Sequence, residues 1–267
     1  MKMYTALFRI RFVNTLQYRA AALAGVTTQF AWGFMLILTF RVFYRENPAA
    51  FPMEFSHMVS YIWMQQAFIA LFMTWFWEDD IADSITSGAI AYELVRPLDL
   101  YNRWFCQCTA NRVSRATLRC IAIFLVVFLL PEPFRMSLPP SFAQFALFLL
   151  SAVLALGVVV AFCMLVYTSL FYTMSPLGIR IISAMLGEFL QGAIIPLPFF
   201  PAPIRVIVEL LPFAAMQNMP LRIYSGDIAG SDALRGMILQ VFWLIMLFAV
   251  GRVAMRRALK KVIVQGG

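Results

Sequence analysis

The chain has 267 residues, of which 62% are hydrophobic and only 13% charged, with a formal net charge of +8. Soluble domains carry roughly 25% charged residues, so an ordinary water-soluble enzyme or binding module is excluded. From Met136 to Ile179 there is no charged side chain, a run well beyond the ~20 residues that match a bilayer's hydrocarbon core. The composition is that of an all-α polytopic membrane protein, one domain over residues 1–267 with no soluble appendage.

Residues 1–19 read as an amphipathic helix. Tyr4, Leu7, Phe8, Phe12 and Leu16 share a broad face, and Arg9, Arg11 and Arg19 lie off it. Such a helix lies in the headgroup layer or extends the first span into the cytosol. The arginines interrupt any signal-peptide core. Six spans come next, at about Ala20–Phe40, His57–Trp77, Arg115–Leu130, Phe142–Tyr172, Gly178–Phe200 and Met237–Val253. The third is the least apolar, and Arg115 and Arg119 must snorkel to the headgroups.

Charge distribution supports this count. With the N-terminus inside, fifteen of the 21 cations are cytoplasmic: Lys2, Arg9, Arg11, Arg19, Arg96, Arg103, Arg112, Arg115, Arg119, Arg180, Arg252, Arg256, Arg257, Lys260 and Lys261. Arg41, Arg45, Arg135, Arg205, Arg222 and Arg235 are outside, as the positive-inside rule requires. Omitting the third span would send the C-terminal cations outward. This asymmetry, rather than nucleic-acid binding, accounts for the net charge.

Between the second and third spans, residues 78–112 form a cytoplasmic segment. Its stretch EDDIADSITSGAIAYELVRPLDLYNRW holds six of the thirteen acids. A short amphipathic helix fits its middle, with Ile81, Ile85 and Ile90 near one face and Asp79, Asp80 and Asp83 elsewhere. Gly88 loosens that helix, and Pro97 limits its continuation by removing a backbone donor and restricting the residue before it. Before the sixth span, residues 201–235 form an outer segment. Pro196, Pro198, Pro201 and Pro203 end the fifth helix, and the apolar Ile204–Leu211 is too short to span. It either dips into the outer leaflet and returns or packs as a loop on the other spans.

Catalytic chemistry is poorly provided for. No GxxxxGK[ST] phosphate loop, HExxH or GxSxG motif is present. The single histidine, His57, lies far in sequence from the CxC pair Cys106 and Cys108, which with Cys120 and Cys163 read as structural thiols rather than metal ligands. Glu188 is the acid well inside a span. It marks either a structural or subunit interface or a transport pathway. An ion-coupled secondary transporter would show repeated halves and more buried ionisable groups. A membrane-embedded enzyme would need the missing catalytic sets.

With ELVRPLDLYNRW between spans two and three, and PLPFFPAPIRVIVELLPF before the last span, the whole chain resembles the permease subunits of ABC-2 type ABC transporters, in particular those of bacterial drug and viologen exporters. The resemblance implies a multi-pass protein of the bacterial inner membrane with both termini cytoplasmic. It implies no cofactor on this chain, ATP and Mg on a partner ATPase with two nucleotide-binding domains, a second permease chain, identical or distinct, and surrounding lipid. It makes the loop between spans two and three a coupling helix, placing ATPase coupling on Asp79, Asp80, Asp83, Glu93, Arg96, Pro97 and Asp99. Arg96 ion-pairs with the motor or contacts lipid phosphate, and Pro97 fixes the turn. The outer gate falls on Pro198, Phe199, Phe200, Pro201 and Pro212. The implied activity is export of a hydrophobic or amphipathic substrate.

Overall fold

The computed structural model describes residues 2–17 and 19–261, the side chains of 19–24 excepted. Arg19's side chain and the tail beyond Lys261 therefore lie outside the described set. All regular structure in it is helical: α1 (Lys2–Leu16), α2 (Arg19–Glu46), α3 (Phe55–Ala67), α4 (Ile69–Phe72), α5 (Asp79–Thr86), α6 (Ile90–Leu94), α7 (Leu100–Val127), α8 (Phe142–Thr173), α9 (Pro176–Leu190), α10 (Ala202–Leu210), α11 (Asn218–Ser225) and α12 (Gly230–Leu259), with 3₁₀ turns at Pro48–Ala50 and Leu197–Phe199.

Among the described residues, three helices are long and apolar enough to cross a membrane: Gly25–Glu46 within α2, α8 and α12. The 32 residues of α8 rise about 48 Å, well beyond a hydrocarbon core of ~30 Å. The other three expected spans take different forms. Arg115–Leu130 is the second half of the 28-residue α7, whose charged first half continues the same rod. His57–Trp77 is broken: α3 stops at Ala67, α4 lasts one turn, and residues 73–78 are not helical. The expected Gly178–Phe200 is cut short at Leu190, where Gly192 takes a φ of +80° and Pro196 comes soon after.

The core is centred on α3 and α8. Every side chain from Met58 to Ala67 is buried, including Ser60, Gln65 and Gln66. These polar groups lie inside because the solvent around the protein is lipid, so the interior supplies their partners. Gln65 Nε2 donates to Ala193 O at 2.7 Å, and Trp63 Nε1 to Phe134 O at 2.8 Å. Helix α12 packs along α8. Buried Gln240 locks the pair, accepting from Ser151 Oγ at 2.9 Å and donating to Ala215 O at 2.9 Å.

Two polar layers mark the ends of α8. Near one end Gln144 Nε2 donates to Ile223 O and Ile228 O, both at 2.9 Å, tying α11 down. Near the other, Tyr167 Oη accepts from the Glu78 backbone N–H at 2.8 Å. The helix rises about 35 Å between these residues, so α11 and the start of α5 sit at opposite faces of a membrane-sized body.

The apolar face of α1 is spent on protein. Tyr4, Leu7, Phe8, Phe12 and Leu16 are half-buried, and the helix runs along the first half of α7. Ser114 Oγ donates to Phe12 O at 2.9 Å, and Thr15 Oγ1 to Asn111 Oδ1 at 3.1 Å. What remains exposed is the opposite face, Met3, Ile10 and Val13 among Lys2 and Arg9.

Candidate functional site

The acidic segment after residue 77 forms two short helices rather than one. Helix α5 begins with Asp79 and Asp80 in its first turn, where carboxylates oppose the partial positive charge of the helix N-terminus. It buries Ile81, Ala82 and Ile85 against α8. The chain then turns at Gly88, whose φ of +78° is a left-handed conformation that glycine adopts at no steric cost. Helix α6 buries only Ile90. Asp99 closes the segment by capping α7: its Oδ1 accepts from Asn102 N at 2.9 Å.

Most of the acids face the chain's own cations. Glu78 Oε2 accepts from Asn111 Nδ2 at 2.6 Å, and Oε1 lies 3.4 Å from Arg115. Burial pushes the Glu78 carboxyl above its ordinary value, with Arg115 and Asn111 opposing the shift. Asp80 pairs with Arg11 of α1 at 3.1 Å, and Asp79 lies 3.9 Å from Arg180 of α9. Glu93 pairs with the buried Arg103 of α7 and lies 3.6 Å from Arg96. Asp99 lies 3.6 Å from Arg252 of α12. The loop is thus tied into α1, α7, α9 and α12. Asp83 is exposed on α5.

Beyond these ties the loop presents a different surface. Tyr92 is 76% exposed and Val95 81% exposed, with Leu94, Arg96 and Pro97 exposed beside them. An aromatic ring, two aliphatic side chains and an arginine side by side are the makings of a protein-binding patch. The tip also has rigid support, because Glu93–Arg103 fixes its base and the Asp99 cap fixes its exit. Sequence reasoning named Arg96 and Pro97 but missed Tyr92, Leu94 and Val95. Their signal was present: they are apolar residues off the Ile81–Ile85–Ile90 face, with nothing else in the loop to cover them.

The remaining sequence-selected residues lie apart from this tip. Glu188 is half-buried on α9, one residue beyond Gly187, which packs against Thr74. Pro198 and Phe200 are buried, Phe199 and Pro212 half-buried, and Pro201 exposed. The Phe199 ring lies 5.0 Å from Phe40 and 4.8 Å from Phe51, and Phe200 lies 5.3 Å from Phe189. Helix α10, the apolar piece expected to dip inward, has Ile204, Val206, Ile207 and Leu210 on the protein's surface. Helix α11 enters the core instead, burying Asn218, Leu221, Ile223 and Tyr224. Its Arg222 is held between Glu209, at 2.9 Å, and Asp227. Together with Arg205 and Asp232 these line a cleft of about 400 Å³. Among the described residues no group of three or more histidine, cysteine or acidic side chains is placed to hold a metal ion.

The comparison with curated proteins gives no match. The family model described as ABC-2 family transporter protein matches residues 30–266. That range takes in the broken second segment, the tethered loop with its exposed tip, the buried α11, α8, α12 and most of the membrane-length part of α2. Membership in this family implies a membrane subunit that associates with ABC ATPase subunits. The chain belongs to the ABC-2 family of transporter proteins.

Proposed function

We propose that the chain is the permease subunit of an ABC exporter of the bacterial inner membrane, and that Tyr92–Pro97 is where its ATPase docks. The observation that carries this reading is the contrast within one loop. Most of its acids are engaged by the chain's own arginines, while an apolar tip, its Arg96 only loosely paired to Glu93, stands exposed on a rigid base. ATP and Mg belong to the partner, which has two nucleotide-binding domains, and this chain has no catalytic role.

In this reading the polypeptide crosses the bilayer six times, with α3–α4 and α9 completing the set inside a two-permease assembly. Both termini are cytoplasmic. The fifteen-to-six split of cations supports that orientation. Closure of the ATPase pair pushes the tip, and the ties to α1, α7, α9 and α12 spread the push into the membrane body. The segment from Pro198 to Pro212 gates the outer side. The transported molecule is hydrophobic or amphipathic, and Glu188 faces the second permease or the route it takes.

Co-purification and transport test this. The solubilised protein is expected to retain an ATPase subunit, and membrane vesicles containing both are expected to show ATP-dependent efflux. Purification free of any ATPase, together with efflux indifferent to ATP but abolished by dissipating the proton gradient, would replace this reading with an ion-coupled transporter.

A further inference from the structure

Residues 73–78 join the membrane body to the coupling loop without being helical. An unwound stretch at this depth has carbonyls that neither water nor a helix satisfies. One side chain serves two of these carbonyls, those of Met73 and Phe76. Arg112 of α7 is 2% exposed. Its Nη1 donates to Met73 O at 2.8 Å and Leu71 O at 3.3 Å, and its Nη2 to Phe76 O at 3.2 Å and Cys163 Sγ at 3.3 Å. The planar fork of a guanidinium can serve several acceptors from one fixed position, whereas an ammonium is a single point.

The same stretch is held at its exit and along its other side. The Glu78 N–H donates to Tyr167 Oη at 2.8 Å, and Asn111, the neighbour of Arg112, holds the Glu78 carboxylate. Thr74 Oγ1 donates to Ser183 O of α9 at 3.4 Å, and Gln191 Nε2 donates to Met73 Sδ at 3.0 Å. A Cβ on Gly187 would run into the Thr74 side chain, so α9 and this stretch touch with no room between them.

We propose that residues 73–78 are a strap that transmits displacement of the coupling loop to α9, and that Arg112 is its positioning residue. This rests on the permease reading. Without the guanidinium, the freed carbonyls lose their fixed donor and the strap loosens. The loop can then move while α9 stays still.

The test uses the assembled permease–ATPase complex in lipid nanodiscs, with hydrogen–deuterium exchange followed for the peptides covering 73–78 and 180–190. Nucleotide-free complex is compared with complex trapped by ATP and vanadate. Wild type is expected to change exchange in both peptides on trapping. In Arg112→Lys, ATP hydrolysis is expected to stay within about twofold of wild type. Exchange at 73–78 should rise at least tenfold, and the response of 180–190 should be lost, while peptides elsewhere keep their protection. A general loss of packing would raise exchange throughout. Unchanged exchange at 73–78, or a full-sized 180–190 response, overturns the proposal. If Arg112→Lys does not assemble, Tyr167→Phe decides, since it removes one acceptor and keeps the ring. It is expected to loosen 73–78 and at least halve the 180–190 response, and a response of wild-type size refutes the strap. A wild-type chain that retains no ATPase fails the permease reading instead, leaving a distinct result from failure of the strap.

Discussion

The start and the tip of the loop from Glu78 to Asp99 are built from the same short stretch yet face opposite ways. From Glu78 to Asp80, three consecutive acids meet Arg115, Arg180 and Arg11 on three different helices. From Tyr92 to Pro97 the side chains are mainly apolar and reach into solvent. In a soluble protein, apolar residues fold inward and acids stay out. Here the acids hold the loop to the body, and the apolar residues are left exposed.

The comparison breaks most visibly at the tip. Tyr92→Ala combined with Val95→Asp is expected to weaken ATPase association by about a thousandfold, since hot-spot residues of an interface cost about 2 kcal/mol or more each when lost. Insertion and thermal stability should stay within about 0.5 kcal/mol, as for surface changes elsewhere. Titration of labelled ATPase against permease in nanodiscs measures the first, and thermal unfolding the second.

The start of the loop should respond in the opposite sense. Glu78→Ala leaves Asn111 without its acceptor and Arg115 without its counter-charge, and is expected to cost about 1–3 kcal/mol of stability. Affinity of the folded fraction for the ATPase should be little changed. Arg96→Gln lies between the two behaviours. Its side chain is 56% exposed and loosely paired to Glu93, so a loss of several-fold in association rate is expected, shrinking as salt is raised. Asp80→Asn should do least, within about 1 kcal/mol, because the Arg11 pair is exposed and screened.

Acidity sharpens the same contrast. Burial holds the Glu78 carboxyl above its ordinary 4.5, so the folded state favours its protonated form. Its contribution to stability is full below the ordinary value and is lost as pH rises through the raised one. A melting-temperature profile across that window should slope downward in wild type relative to Glu78→Gln, in which the group no longer titrates.

The legible parts of the sequence were those where an apolar face meets protein, or where a long apolar run meets lipid. Ile81, Ile85 and Ile90 foretold the buried side of the loop, and the run from Phe142 foretold α8. Helices α3 and α11 were harder to read because hydropathy reports contact with lipid, not depth in the protein. Gln65, Gln66 and Asn218 are buried, Gln65 against the Ala193 carbonyl of a distant segment, while the more apolar α10 stays outside. The unwinding after Phe72 carries no proline or glycine to announce it. It is held by Arg112, whose partners there are main-chain carbonyls and so leave no trace in side-chain pattern. The inward turn of Glu93 was hidden for a related reason, since Arg103 lies on the next helix.

Site-specific photo-crosslinking addresses the central contrast most directly, with a diazirine side chain placed at position 95 in one protein and at position 80 in another, each assembled with the ATPase in native membranes. The account predicts an ATPase adduct from position 95 and only intramolecular products from position 80. An ATPase adduct from position 80 with none from position 95 would contradict it.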